Sequence, residues 1–188
     1  MTATLTQPTR RPSRVRTLMG WLVFIVVVLA VAAGTRAWIL QTYYVPSPSM
    51  TPTLLPGDRI IVDKLSGTIH RDDIIVFHNV AADVGGPPVL VKRVIGLPGE
   101  TISSVGTTIL IDGKPLAEPW LPKLVGICSE PSEHITATRI QANHYFVMGD
   151  CRGDSGDSRY WGTVPVGNVI GKVDMVIWRH GHPWFHWF

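Results

Sequence analysis

The sequence predicts a mainly β protein, in which an N-terminal transmembrane helix precedes an antiparallel β-sheet domain that carries a small inserted β subdomain. Three observations predict it. Leu18 to Gly34 is a run without a charged side chain. Beyond it helical periodicity disappears, and short β-rich runs follow, each bounded by Gly, Pro, Asp or Asn. Residues 101–143 are richer in Pro, Thr and Ser and break the strand rhythm, as an insertion does. The divisions expected are a basic leader (1–16), an anchor (17–40) and a domain (41–188) holding the 101–143 subdomain.

The apolar run, continued through Trp38-Ile39-Leu40, is long enough to cross a hydrocarbon layer of about 30 Å at about 1.5 Å per residue. Arg36 can snorkel, and Trp38, Tyr43 and Tyr44 suit the membrane interface. Arg10, Arg11, Arg14 and Arg16 precede the run, which by the positive-inside rule predicts a cytoplasmic N-terminus and an extracytoplasmic domain. A cleavable export signal with Ala30-Val31-Ala32 as its small-residue site is the alternative, and the uninterrupted apolar length favours a retained anchor. Either way the rest of the chain is exported.

The pI of about 9.1 comes from the leader. Of the 17 basic residues five lie in residues 1–40, where none of the 14 acidic ones occurs. The remainder is slightly acidic, so no nucleic-acid partner is implied. Apolar residues make up 45% of the 188, enough for a packed core.

Just past the apolar run comes Pro46-Ser47-Pro48-Ser49-Met50-Thr51-Pro52-Thr53-Leu54. Proline fixes φ, removes an amide donor and extends its predecessor, so the run presents Ser49 in a set, exposed pose. A Ser/Pro juxtamembrane linker would look the same. The strands expected next are 59–64, 73–78, 89–95, 107–111, 144–148 and 172–178. Asp112-Gly113 is a hairpin signal, and Gly96-Leu97-Pro98-Gly99 ends a strand sharply. The tail from Trp178 to Phe188 crowds aromatics with His and Pro. It breaks its own secondary structure, so an interfacial membrane contact is expected there rather than core packing.

A nucleophilic serine needs a base within hydrogen-bond reach. His70, His78, His134 and His144 are candidates, none with an orienting carboxylate in its own motif. Lys64, Lys114 and Lys123 lie near turns or polar loops, where an ammonium stays solvated. Lys92 stands mid-strand in Pro88–Gly96, sharing one face with Leu90 and Val94. Burial there would lower its pKa and make the neutral amine available; a sheet lysine that snorkels outward is the bland alternative. The Gly-rich run Gly149–Gly162 packs carboxylates, arginines and serines. Its acids lack the alternate-position pattern of a calcium loop, and two arginines oppose a cation, so it suits a network that positions a base. No metal-ligand spacing surrounds Cys128 or Cys151, and in an oxidising compartment the pair invites a disulfide.

Three segments in this order resemble type I signal peptidase, the leader peptidase family of membrane-anchored Ser/Lys endopeptidases: Pro46–Asp58 (PSPSMTPTLLPGD), Val91–Gly99 (VKRVIGLPG) and Gly149–Pro165 (GDCRGDSGDSRYWGTVP). The resemblance implies removal of signal peptides from exported preproteins after Ala-x-Ala-type sites through an acyl-enzyme, with no cofactor and no metal. It implies Ser49 as nucleophile and Lys92 as base. Ser47 would join the Ser49 amide in stabilising the oxyanion, and Ser155 would orient the Lys92 amine. Asp157 and Arg159 would pair to hold the loop, and Val45, Pro46, Met50, Leu54 and Val91 would line shallow pockets for small side chains. The implied setting is a single-pass protein of the cell membrane, a monomer in contact with the lipid bilayer and with the secretion translocon. Cys151 departs from the family's usual Asn, and Gly153-Asp154 from its usual polar pair, which makes a Cys128–Cys151 bridge attractive as a replacement clamp. A self-cleaving Ser/Lys repressor-type protease would need a DNA-binding domain where the anchor stands. A catalytically silent, membrane-tethered binding protein is the reading from another class.

Overall fold

The computed structural model describes residues 14–81, 86–121, 128–129 and 134–188, so Arg10, Arg11 and Lys123 lie outside the described residues. The chain divides into two units, Met1–Ile39 and Leu40–Phe188.

In the first unit, helix α1 runs Arg14–Ile39 and is apolar all round, as a membrane span requires and a surface helix does not. Its Arg14–Ala32 stretch, with a mean hydropathy of 2.4, is long and apolar enough to cross a bilayer. The helix takes in residues 17–39 of the expected anchor at 17–40, and Leu40 opens a strand. The side chains of Arg36 and Trp38 fall outside what is described.

The second unit is built on an antiparallel sheet of eight strands. They are β1 (Leu40–Tyr44), β2 (Arg59–Asp63), β3 (Ile74–His78), β4 (Val89–Gly96), β9 (His144–Met148), β10 (Val164–Pro165), β11 (Val169–Arg179) and β12 (His182–Trp187). The order is β1-β2-β11-β3-β4-β9-β10, with β12 added to the far end of β11. β3 reads as a continuous apolar run because both of its faces are covered. Ile74 and Val76 pack with Val45, Met50, Leu54 and Ile60, while Ile75 and Phe77 pack with Val94, Val147 and Val164. The tyrosines expected at a membrane interface sit in β1, Tyr43 against the core and Tyr44 exposed.

The second sheet has the order β7-β6-β5-β8 and lies wholly within residues 101–143: β5 (Thr101–Val105), β6 (Thr108–Ile111), β7 (Lys114–Pro115) and β8 (Thr138–Arg139). Asp112 and Gly113 both take positive φ, 49° and 75°, and turn β6 into β7. Ile102, Ile109, Ile111 and Ile140 pack against Ile95, Phe146 and Met148 of the large sheet.

The tail corrects its sequence expectation. Instead of breaking secondary structure it forms β12, with Met175 opposite Trp187 and Arg179 opposite His182. His180 (φ 52°) and Gly181 (φ 80°) make the reversal, so a histidine occupies the left-handed position usually given to Asn or Gly. All six β12 residues are exposed.

Candidate active site

The proline segment after β1 folds into a short 3-10 turn, Pro48–Met50, with proline at its first position, where the missing amide costs nothing. Thr51 N donates to the Pro48 carbonyl at 2.8 Å and Leu54 N to that of Met50 at 2.9 Å. Asp58, 1% exposed, accepts from Leu55 N at 2.9 Å and from Arg179 Nε at 3.0 Å, while Arg179 Nη2 donates to the Thr53 carbonyl at 2.9 Å. The rigid turn buries Ser49 to 7% exposure.

Lys92 Nζ donates to Ser49 Oγ at 2.6 Å, and Ser47 Oγ lies 3.2 Å from the same oxygen. Lys92 is 3% exposed. Burial pulls its pKa from the ordinary lysine value of 10.5 down to about 8; the Asp157 and Asp150 carboxylates oppose that shift and the Arg159 guanidinium assists it. Of the other lysines, Lys64 and Lys114 are exposed, and Lys172 pairs with Asp73 at 2.8 Å. The candidate histidines are elsewhere: His70 and His78 are exposed, His134 Nδ1 lies 3.4 Å from Ser104 Oγ, and His144 Nδ1 lies 2.9 Å from the Ala142 carbonyl.

The loop after β9 closes over this pair. Cys151 N donates to the Ser49 carbonyl at 3.0 Å. Gly149 lies so near that a Cβ there would collide with the Ser49 carbonyl oxygen and the Ser155 hydroxyl. Asp157, fully buried, accepts from Gly149 N at 3.0 Å and from Arg159 Nε at 2.8 Å, and its side chain caps helix α2 (Ser158–Trp161). Ser155 is buried, but among the described residues its Oγ has no hydrogen-bond partner, Lys92 included. The expected orienting bond is therefore not made in this state.

A cleft of about 150 Å³ opens beside Ser49 and Lys92, with Tyr43, Tyr44, Val45, Pro46, Leu90 and Val91 in its wall. Val45, Pro46 and Val91 were expected there. Met50 and Leu54 were also expected there but are not on this wall. Met50, at the end of the 3-10 turn, and Leu54, four residues beyond it, are both fully buried in the core with Val45 and Ile60.

Several contributors escaped the sequence reading. Arg93 Nε and Nη2 grip Asp150 at 2.8 and 2.7 Å, Arg93 Nη1 donates to the Asp72 carbonyl at 2.8 Å, and Trp120 lies under the guanidinium at 4.8 Å. Arg93 and Asp150 are 57 residues apart, a pairing with no local signature beyond their place in two of the motifs. The Cys128–Cys151 pairing, by contrast, was expected, and the two form a disulfide. These two sulfurs and the Asp154 carboxylate come within 4.8 Å of one another, but sulfurs consumed in a disulfide are not thiolate ligands.

Chemically, a buried amine that is partly neutral near pH 8 and bonded to a hydroxyl can take that hydroxyl's proton and leave an alkoxide to attack a carbonyl. Residues 18–178 match the family described as signal peptidase, peptidase S26. The chain is 40% identical over 157 residues to signal peptidase I of Leptolyngbya laminosa, covering 80% of this chain and 74% of that one. It is 38% identical to a probable signal peptidase I-1 of Synechocystis, with 79% and 76% covered. To signal peptidase I of Bacillus caldolyticus it is 39% identical, with 81% and 87% covered.

Proposed function

The chain belongs to the signal peptidase family, peptidase S26, and from that premise we propose that Ser49 is its nucleophile and Lys92 its general base. It is a membrane-bound endopeptidase that removes signal peptides from exported preproteins. The observation that carries the residue assignment is the 2.6 Å hydrogen bond from a buried lysine to a buried serine hydroxyl.

Neutral Lys92 takes the Ser49 proton as Oγ attacks the scissile carbonyl carbon. The oxyanion is stabilised by the Ser49 amide and the Ser47 hydroxyl. Lys92, now an ammonium, gives its proton to the departing amine, the C–N bond breaks, and an acyl-enzyme on Ser49 remains. Lys92 then takes a proton from water, whose oxygen attacks the ester, and Ser49 is regenerated as the signal peptide leaves with a new carboxylate. Ser155 engages the Lys92 amine once substrate enters, and the Asp157–Arg159 pair keeps the loop closed. Val45, Pro46 and Val91 face the small side chains that precede the cut, where larger ones would clash.

Residues 41–188 lie outside the cytoplasm and the N-terminus inside, a reading supported by the leader arginines and by a disulfide suited to an oxidising compartment. The enzyme works as a monomer at the bilayer, beside the translocon that delivers its substrates.

The test is cleavage of an exported preprotein in detergent. Ser49→Ala and Lys92→Ala each abolish it, while Lys114→Ala, at an exposed lysine, leaves it intact. Retained cleavage in either of the first two variants would refute the assignment and favour a silent binding protein.

A further inference from the structure

The residue that carries the Cys128–Cys151 bridge is the one whose backbone amide holds the Ser49 carbonyl, at 3.0 Å. The bridge brings a remote segment onto the turn Arg152–Asp154, and that segment grips the turn at further points. Ser129 N and Ser129 Oγ both donate to the Asp154 carboxylate at 2.9 Å. These bonds hold the Asp154 pKa below its ordinary range. Gly153 lies so close to the Ser129 carbonyl that a Cβ would collide with it. Cys151, Gly153 and Asp154, the positions at which the loop departs from the usual pattern, thus all serve one contact. On the other side of the turn, Arg152 Nε donates to the Gly149 carbonyl at 3.0 Å, and its guanidinium pairs with Glu118. Neither Cys128 nor Ser129 lines the cleft.

We propose that Cys151 is a positioning residue for the nucleophile, held in place by the bridge to Cys128, so that full turnover requires the oxidised pair. The proposal rests on Ser49 being the nucleophile. With the bridge closed, the Cys151 amide keeps the Ser49 carbonyl, and so the Oγ, in line with the Lys92 amine. With it open, Cys151 loses its covalent tie to residue 128 and is held by non-covalent contacts alone: its amide on the Ser49 carbonyl, the Asp154 N donation to its carbonyl at 3.0 Å and its Sγ at 3.6 Å from the Asp154 carboxylate. An external dithiol opens it by giving two electrons and two protons, leaving two thiols on the protein and a disulfide on the reductant. Because the contact acts on Ser49 and not on the cleft wall, its loss falls on turnover and spares substrate binding.

The experiment compares the full-length enzyme in detergent, oxidised, dithiol-reduced and reoxidised, with the double variant Cys128→Ala/Cys151→Ala. Cleavage of a signal-peptide substrate is followed well below the melting temperature, with far-UV circular dichroism on each sample. Reduction is expected to lower kcat about tenfold with KM within about twofold, and reoxidation to restore it. The double variant matches the reduced enzyme and ignores the reductant. An unchanged kcat after reduction, a loss confined to KM, or unfolding on reduction would each overturn the proposal, the last because the bridge then serves stability alone. Ser49→Ala in parallel separates the two ideas: an active Ser49→Ala refutes the nucleophile, whereas an inactive one beside a fully active reduced enzyme refutes only the role of the bridge.

Discussion

Lys92 and Arg93 are adjacent in one strand, both buried, and send their cationic groups to different partners: a serine hydroxyl for Lys92, a carboxylate for Arg93. Asp150 meets the Arg93 guanidinium at two points, so that buried cation has a carboxylate partner. Among the described residues Lys92 has no such contact, and burial outweighs the charges of Asp157, Arg159 and Asp150 in setting its protonation.

The pH dependence follows from that difference. Only the neutral amine is a base, so kcat/KM should rise with pH through about 8, falling about tenfold per unit below it. Stability carries the same sign. The folded-state pKa is below 10.5, so between about 8 and 10.5 the unfolded chain holds more protons, and stability increases with pH across that window. Lys92→Met should abolish cleavage yet raise stability at pH 7 by roughly 1–3 kcal/mol, read from urea unfolding.

Asp157→Asn should move the acidic limb of the pH–rate profile downward, because the Asp157 carboxylate raises the Lys92 pKa. The same change takes the carboxylate from a buried guanidinium and should cost about 3–5 kcal/mol in denaturant unfolding. An acidic limb that stays in place would show that Asp157 does not act electrostatically on Lys92.

Ser155 gives a prediction with opposite signs for stability and rate. Its buried hydroxyl has no hydrogen-bond partner among the described residues, so Ser155→Ala should leave stability unchanged or raise it by up to about 1 kcal/mol. If the hydroxyl engages Lys92 during turnover, kcat should fall by up to about 100-fold in the same variant. Unfolding curves and initial rates on one preparation decide it.

Gly149→Ala puts a methyl group against the Ser49 carbonyl and the Ser155 hydroxyl, and backbone cannot give way as a flexible side chain would. The expected loss is about 100-fold in kcat, with roughly 1–3 kcal/mol of stability. Gly156→Ala, with open space around its Cβ position, is the control that should cost little of either.

Much of the fold was legible where alternation or a continuous apolar run was bounded by breakers. The runs that became β2, β3, β4, β6 and β9 could be placed within a residue or so. β1 was hidden because Leu40-Gln41-Thr42-Tyr43-Tyr44 follows the apolar helix without Gly or Pro between them, so helix and strand merge in the sequence. β12 was hidden because its turn uses a histidine at positive φ and the strand itself contains a proline. Two-residue strands such as β8 and β10 are too short to show any period. At the site, Lys92 stood out because an ammonium among Val and Leu is locally anomalous. The inward turn of Met50 and Leu54 did not, since a proline-rich run does not say which side chains face the core. The grip of Arg93 on Asp150, and of Ser129 on Asp154, depends on loop paths that only the folded chain defines.

β11 lies between β2 and β3, although it is nearly the last strand in the chain. Ser49 belongs to the β1–β2 side of that divide and Lys92 to the β3–β4 side. Until residues 169–179 have been made, no strand pairing joins β1–β2 to β3–β4, and the two halves meet only through loop contacts such as that of the Cys151 amide with the Ser49 carbonyl. A chain that stops short of residue 169 therefore holds every reacting atom but lacks the strand that makes one sheet of the two halves.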